Sequence, residues 1–138
     1  MTIAKLLKHD FTKGILTLYD VNNNLTYREY STGYWIKREY DTNSKETYCE
    51  NSTGYKLEYD SNGKRTYCEN PDGWWCKQEY DTNGNETYLE NSTGSWYKHE
   101  YDTNGNETYF ETSNGYWSKR EYDTNGKETY FKDSRGLI

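Results

Sequence analysis

Three cysteines, two histidines and many carboxylates are the side chains able to do chemistry in this sequence of 138 residues. A structural zinc site takes four ligands at short spacings such as Cys-x2-Cys, and Cys49, Cys68 and Cys76 supply three with no such pair. Positions equivalent to them elsewhere hold Leu89 and Phe110, so they read as small apolar residues. His9 and His99 are isolated, and His99 fills a variable slot that elsewhere holds Arg38, Gln78 and Arg120. The acids recur in identical settings, whereas catalytic carboxylates are set apart by environment. No nucleophile elbow, phosphate loop or metal motif is present. The sequence therefore predicts no catalysis, no cofactor and no metal. What remains is recognition chemistry: 18% of the chain is aromatic, and its Trp and Tyr alternate with Lys and Glu.

Those residues sit in a repeat. Glu-Tyr-Asp recurs at Tyr40, Tyr59, Tyr80, Tyr101 and Tyr122, 21 residues apart except for one step of 19, with Tyr19-Asp20 as a degenerate copy. A glycine opens each copy at Gly14, Gly33, Gly54, Gly73, Gly94 and Gly115, and Gly136 opens a stub. A fixed period of this length marks a repeat architecture. Each copy has two Tyr/Trp/Thr-rich halves, which favour strands. An Asp-Thr-Asn-Gly-type turn joins them, and a second turn leads to the next copy. The copies opening at Gly14 and Gly54 are shorter by two residues. Two is the side-chain period of a strand, so the deletion keeps every residue on its face, whereas a helix would be rotated. The prediction is all-β: an elongated array of five to six β-hairpin repeats in a twisted or spiralling antiparallel sheet, with a short N-terminal cap. Residues 1–13 form the cap. A single repeat domain spans 14–135 (14–32, 33–53, 54–72, 73–93, 94–114, 115–135), and 136–138 are a truncated repeat.

Register follows from turn chemistry. Pro71 suits the second position of a type I turn, so Asn70 to Gly73 is read as a type I turn with a glycine bulge. The Asn-Gly turns are read as two-residue type I′ loops centred on 43–44, 62–63, 83–84, 104–105 and 125–126. Lys37 then faces Glu50, Lys56 faces Glu69, Lys77 faces Glu90 and Lys98 faces Glu111, each pair stabilising by a few tenths of a kcal/mol to about 1 kcal/mol. One face, taken as the core, carries Ile36, Cys49, Leu57, Cys68, Cys76, Leu89, Tyr97, Phe110 and Phe131. The other carries a ladder: Trp35, Trp75, Trp96, Trp117, Tyr48, Tyr67, Tyr88, Tyr109 and Tyr130, set among Lys and Glu. The candidate binding residues are Trp35, Trp75, Trp96, Trp117, Tyr88 and Tyr109.

Aliphatic residues are scarce, so order rests on stacked aromatics and nearest-neighbour repeat contacts. Ile3, Leu6, Leu7 and Phe11 lie outside the pattern and are expected to cover the first repeat. That segment is too short and interrupted for a signal peptide or membrane span, and a cytoplasmic location follows as the expectation. Cys68 and Cys76 are expected to be neighbours but reduced.

The Tyr-Asp-x-Asn-Gly-x-x-x-Tyr pattern, seen from Tyr40 to Tyr48 and in four later copies, resembles the YD repeats of Rhs and teneurin proteins. The resemblance covers nearly the whole chain from Gly14 and implies a spiralling antiparallel sheet. The Arg-Leu that commonly follows the glycine in that family is missing, and the chain is too short for the family's shell. Weaker likenesses are to MORN-like hairpin repeats and to choline- and glucan-binding repeats with aromatic cages.

Three functions are expected from these observations. One is a non-catalytic protein-binding module, of the kind a phage or mobile element encodes to inhibit a host protein such as a defence factor; its location is then the bacterial cytoplasm. Another is a carbohydrate- or choline-binding module. The third is an acidic nucleic-acid mimic, with net charge −6. Direct nucleic-acid binding is disfavoured by that charge. A protein partner is expected, no membrane, and oligomers form through sheet edges if at all.

Overall fold

A computed structural model describes residues 1–136; Leu137 and Ile138 of the truncated repeat lie outside the described residues. The chain opens with α1 (Ile3–Leu7) and a single turn of tighter helix, Phe11–Lys13. Twelve strands follow, forming six antiparallel hairpins in a sheet whose order is the sequence order. They are β1 (Leu16–Tyr19), β2 (Leu25–Glu29), β3 (Trp35–Tyr40), β4 (Glu46–Asn51), β5 (Lys56–Tyr59), β6 (Arg65–Glu69), β7 (Trp75–Tyr80), β8 (Glu86–Asn91), β9 (Trp96–Tyr101), β10 (Glu107–Thr112), β11 (Trp117–Tyr122) and β12 (Glu128–Asp133). The chain divides into two compact units, Met1–Gly73 and the remainder from Trp74 onward.

The four expected Lys–Glu pairs are all present: Lys37 opposite Glu50, Lys56 opposite Glu69, Lys77 opposite Glu90 and Lys98 opposite Glu111. The turn that produces them is not the expected one. Gly84 N–H donates to Asp81 C=O at 3.0 Å and Asp81 N–H to Asn85 C=O at 2.9 Å. Gly84 takes φ +83° while Asn83 does not enter the positive-φ region. This is a type I turn over residues 81–84 followed by a glycine bulge, so the type I′ assignment is corrected. The asparagine prefers its right-handed conformation because Asp81 Oδ1 accepts the N–H groups of Asn83 and Asn85, each at 2.9 Å. Residues 41–44, 60–63, 102–105 and 123–126 close by the same bond. Asn70 to Gly73 is a type I turn with Gly73 at φ +86°, as Pro71 indicated.

The register survives because two one-residue offsets cancel. The longer turn shifts the pairing by one, and a bulge opposite Glu79 and Tyr80 shifts it back. The same irregularity recurs at Glu39/Tyr40, Glu58/Tyr59 and Glu121/Tyr122. One consequence escaped the sequence pattern. Glu86 pairs with Tyr80 rather than sharing a face with Tyr88, so Glu46, Glu86, Glu107 and Glu128 belong to the face opposite the ladder.

At the bulged-turn glycine site, Asn23 and Ser44 stand with φ of +65° and +61°. Left-handed backbone costs an ordinary L-residue energy that glycine does not incur. Ser44→Gly is expected to stabilise by about 0.5–1 kcal/mol, less its exposed hydrogen bond from Asn24 at 3.0 Å. Thermal unfolding of the variant checks this; an unchanged or lower midpoint contradicts it.

The expected core face is only partly a core. Of its residues Cys68 and Cys76 are buried, at 6% and 3% exposure, while Ile36, Cys49, Leu57, Leu89, Tyr97, Phe110 and Phe131 are half-buried. Among the described residues no second layer covers the sheet apart from the N-terminal segment, so side chains on each face are shielded mainly by their neighbours along it. Cys49 is a free thiol, whereas Cys68 and Cys76 are both disulfide-bonded. The expectation of reduced thiols is thereby corrected; it rested on compartment alone. Thiol titration of the unfolded, unreduced protein is expected to give one reactive group, rising to three after reduction. Three before reduction contradicts the bonded state and favours a reducing compartment.

Candidate functional site

The ladder is built by backbone pinning at each full-length repeat. Trp75 N–H donates to Ser92 Oγ at 3.3 Å and Ser92 N–H to Trp75 C=O at 3.0 Å. The same exchange joins Trp35 to Ser52, Trp96 to Ser113 and Trp117 to Ser134. At Tyr40, Tyr101 and Tyr122 the tyrosine of Glu-Tyr-Asp locks its hairpin to the one before. Tyr101 and Tyr122 donate to the carbonyls of Glu86 and Glu107, at 2.9 and 2.8 Å, beside the bulges described above. In the first unit Tyr40 does the same to Leu25, at 2.9 Å.

In the unit from Trp74 onward, the ladder side chains hold one another. Tyr88 stacks on Trp96, ring centroids 6.5 Å apart and planes 24° apart. Lys77 lies over Trp75 at 5.2 Å, Lys98 over Trp96 at 5.5 Å, and Lys119 over both Trp117 and Tyr109, at 5.9 and 6.0 Å. Each such contact contributes about 0.5–1 kcal/mol at an exposed site. The tyrosine hydroxyls reach the carboxylate two residues on: Tyr88 to Glu90 at 3.4 Å and Tyr109 to Glu111 at 3.2 Å. Burial, then these glutamates, raise both phenols above their ordinary value, at which a tyrosine is already a donor at neutral pH. The candidate residues Trp75, Trp96, Trp117, Tyr88 and Tyr109 thus share one face and are half-buried.

In the unit Met1–Gly73 the ladder begins identically. Tyr27 stacks on Trp35 at 6.1 Å and 24°, and Tyr27 donates to Glu29 Oε2 at 2.8 Å. Here the face is covered. Ala4, Leu16 and Tyr27 form a buried cluster, with Ile3, Phe11, Leu18 and Trp35 packed against it. Leu16 and Leu18 pair with Glu29 and Tyr27 and so lie on the ladder face. Ala4 N–H donates to Glu29 Oε2 at 2.8 Å. Tyr27 is 6% exposed and Glu29 2%. Burial would raise the Glu29 carboxyl, but the Ala4 amide and the Thr2 and Tyr27 hydroxyls outweigh it and hold it below the ordinary value. Burial, then Glu29, pushes the Tyr27 phenol up to about 12. The N-terminal segment does cover the first repeat, and it does so on the ladder face.

The opposite face carries a polar chain that sequence reasoning missed. Gln78 and Tyr97 donate to Glu86 at 2.7 and 2.8 Å. His99 Nδ1 and Arg120 contact Glu107 at 2.6 and 2.7 Å, and Arg38 approaches Glu46 at 3.6 Å. The variable slot holding Arg38, Gln78, His99 and Arg120 is a donor slot. The signal was available in the shared ability of all four to donate, and only the bulge hid their partner. Among the described residues no cluster of three or more His, Cys, Asp or Glu is placed to hold a metal, and no helix is long and apolar enough to cross a membrane.

No family model matches the chain, and no curated protein matches it. Solved structures do. A crystal structure of TcdB2–TccC3 with Cdc42 aligns at TM-score 0.46 and 13% identity over 83% of this chain and 7% of that one. One of TcdB2–TccC3 aligns at 0.44 and 14%, over 80% and 6%. The Photorhabdus luminescens Tc holotoxin pore aligns at 0.41 and 12%, over 87% and 9%. This chain spans less than a tenth of those chains, and the likeness is one of antiparallel hairpin sheet alone.

Proposed function

We propose that the protein is a non-catalytic protein-binding module whose contact surface is the ladder face of the unit from Trp74 onward, centred on Trp75, Trp96, Trp117, Tyr88 and Tyr109. One observation carries this reading: the same arrangement in the first unit already holds a polypeptide segment. Aromatics fixed on a rigid sheet suit an interface, because little side-chain entropy is lost on binding and Trp and Tyr dominate binding hot spots. A module of this kind acts by occupying its partner, which accords with an inhibitor of a host protein.

Choline-type recognition is less well supported, since Lys77, Lys98 and Lys119 already occupy the cation positions on Trp75, Trp96 and Trp117. An acidic mimic would need runs of carboxylate, and here Lys alternates with Glu along the face. Affinity capture from a host lysate tests the proposal when wild type is compared with the Trp96→Ala/Trp117→Ala variant and with Arg65→Ala on the opposite face. Partners held by wild type and Arg65→Ala but lost from the tryptophan variant support it. Equal capture by all three refutes it.

A further inference from the structure

The seam between the first two hairpins and the second unit carry the same four-residue cradle. In the first, Tyr27 is opposite Lys37 and Glu29 opposite Trp35. In the second unit Tyr88 is opposite Lys98 and Glu90 opposite Trp96, and again Tyr109 is opposite Lys119 and Glu111 opposite Trp117. Tyr–Trp stacking at 24° is common to the first two, as is the hydroxyl reaching Glu in all three. The occupied cradle shows what fits: a short turn of helix laid against the rings, with a small apolar side chain, Ala4, buried at 3%. One backbone N–H at the start of that turn is donated to the cradle carboxylate.

Among the described residues, no ring contact or side-chain hydrogen bond joins the Tyr88, Trp96, Tyr109 and Trp117 side chains to a segment outside the strands. They differ from the occupied cradle on one flank. Where it has Leu18 and Leu16, the Tyr88 cradle has Glu79 and Lys77, and the Tyr109 cradle has Glu100 and Lys98. An occupant there meets aromatic rings on one side and a Lys/Glu pair on the other.

Resting on the protein-binding reading above, we propose that these two cradles each receive a partner protein's short helical turn. That turn presents a small apolar residue to the Tyr and Trp rings, donates its backbone N–H to Glu90 or Glu111, and carries charged side chains toward the flanking Lys and Glu. Recognition is therefore of an amphipathic segment, and backbone donation to a carboxylate fixes its register. Charge-assisted hydrogen bonds are about twice as strong as neutral ones, so the amide contact discriminates strongly.

The test uses the full chain and a synthetic peptide of residues 1–13, followed through the indole N–H resonances of the five tryptophans, assigned by single Trp→Phe variants. The peptide is expected to shift the Trp96 and Trp117 resonances saturably. Methylating the peptide's Ala4 nitrogen is expected to weaken binding about tenfold, the effect of removing one hydrogen bond to a charged group. Glu90→Ala is expected to weaken the binding read at Trp96 by about the same tenfold while leaving that read at Trp117. No saturable shift at Trp96 or Trp117, or equal binding of the methylated peptide, overturns the proposal. If that happens while the tryptophan variant still loses its captured partners, the binding face stands and only this mode of recognition falls.

Discussion

Replacing Trp96 and Trp117 together by alanine is expected to weaken partner binding by about three orders of magnitude while the chain stays folded. Each is central to the uncovered ladder, and truncating an interface hot spot costs about 2 kcal/mol or more, roughly thirtyfold per residue. The stability effect is smaller because both rings are half-exposed. Their main partners are a lysine stem each and, for Trp96, the Tyr88 ring. A loss of about 1–2 kcal/mol per site is expected, toward the middle of the range for point substitutions. The backbone exchange with Ser113 and Ser134 does not depend on the indole and is retained. Circular dichroism melting and the affinity for a captured partner are to be measured on the same preparations. A variant that unfolds while single substitutions bind normally makes the ladder structural.

Glu29→Ala is expected to release the N-terminal segment. The Glu29 carboxylate receives the Ala4 amide and the Tyr27 hydroxyl, both at 2.8 Å, in a site 2% exposed. Its removal leaves two buried donors unpaired, at about 1–3 kcal/mol each, which exceeds what a five-residue helix can hold by itself. The expected signs are loss of α1 and a more exposed Trp35 indole, with β7 to β12 unchanged. Acid should mimic the substitution. The folded carboxyl lies below its ordinary value, so its contribution is complete above that value and is lost as pH falls through the folded one. Tryptophan quenching across an acid titration checks the sign; a segment that loosens on raising the pH contradicts it.

The two predictions rest on features that were unequally visible in the sequence. Strand identity and faces were legible because the two-residue deletions at Gly14 and Gly54 preserve strand parity. The pairing of Lys77 with Glu90 was legible although the turn was misassigned, since the type I turn and the bulge near Thr87 displace the register in opposite senses. That same cancellation concealed the face of Glu86 and Glu107, and with it the partner of His99. The cap was recognisable as apolar and outside the repeat, but its seat was not. Tyr27 and Glu29 look like every other Tyr-x-Glu, and only Leu16 and Leu18, where later copies have Lys and Glu, mark the first cradle as the apolar one. The state of Cys68 and Cys76 turned on compartment, about which strand pattern is silent.

Hydroxyl-radical footprinting of the tryptophans and tyrosines, with and without a captured partner, addresses the central claim most directly. Oxidation of Trp75, Trp96 and Trp117 is predicted to fall when the partner is bound, with Trp35 protected in both states beneath the N-terminal segment. Unchanged oxidation of those three, with protection appearing instead at Tyr59 and Tyr97 on the opposite face, would contradict it.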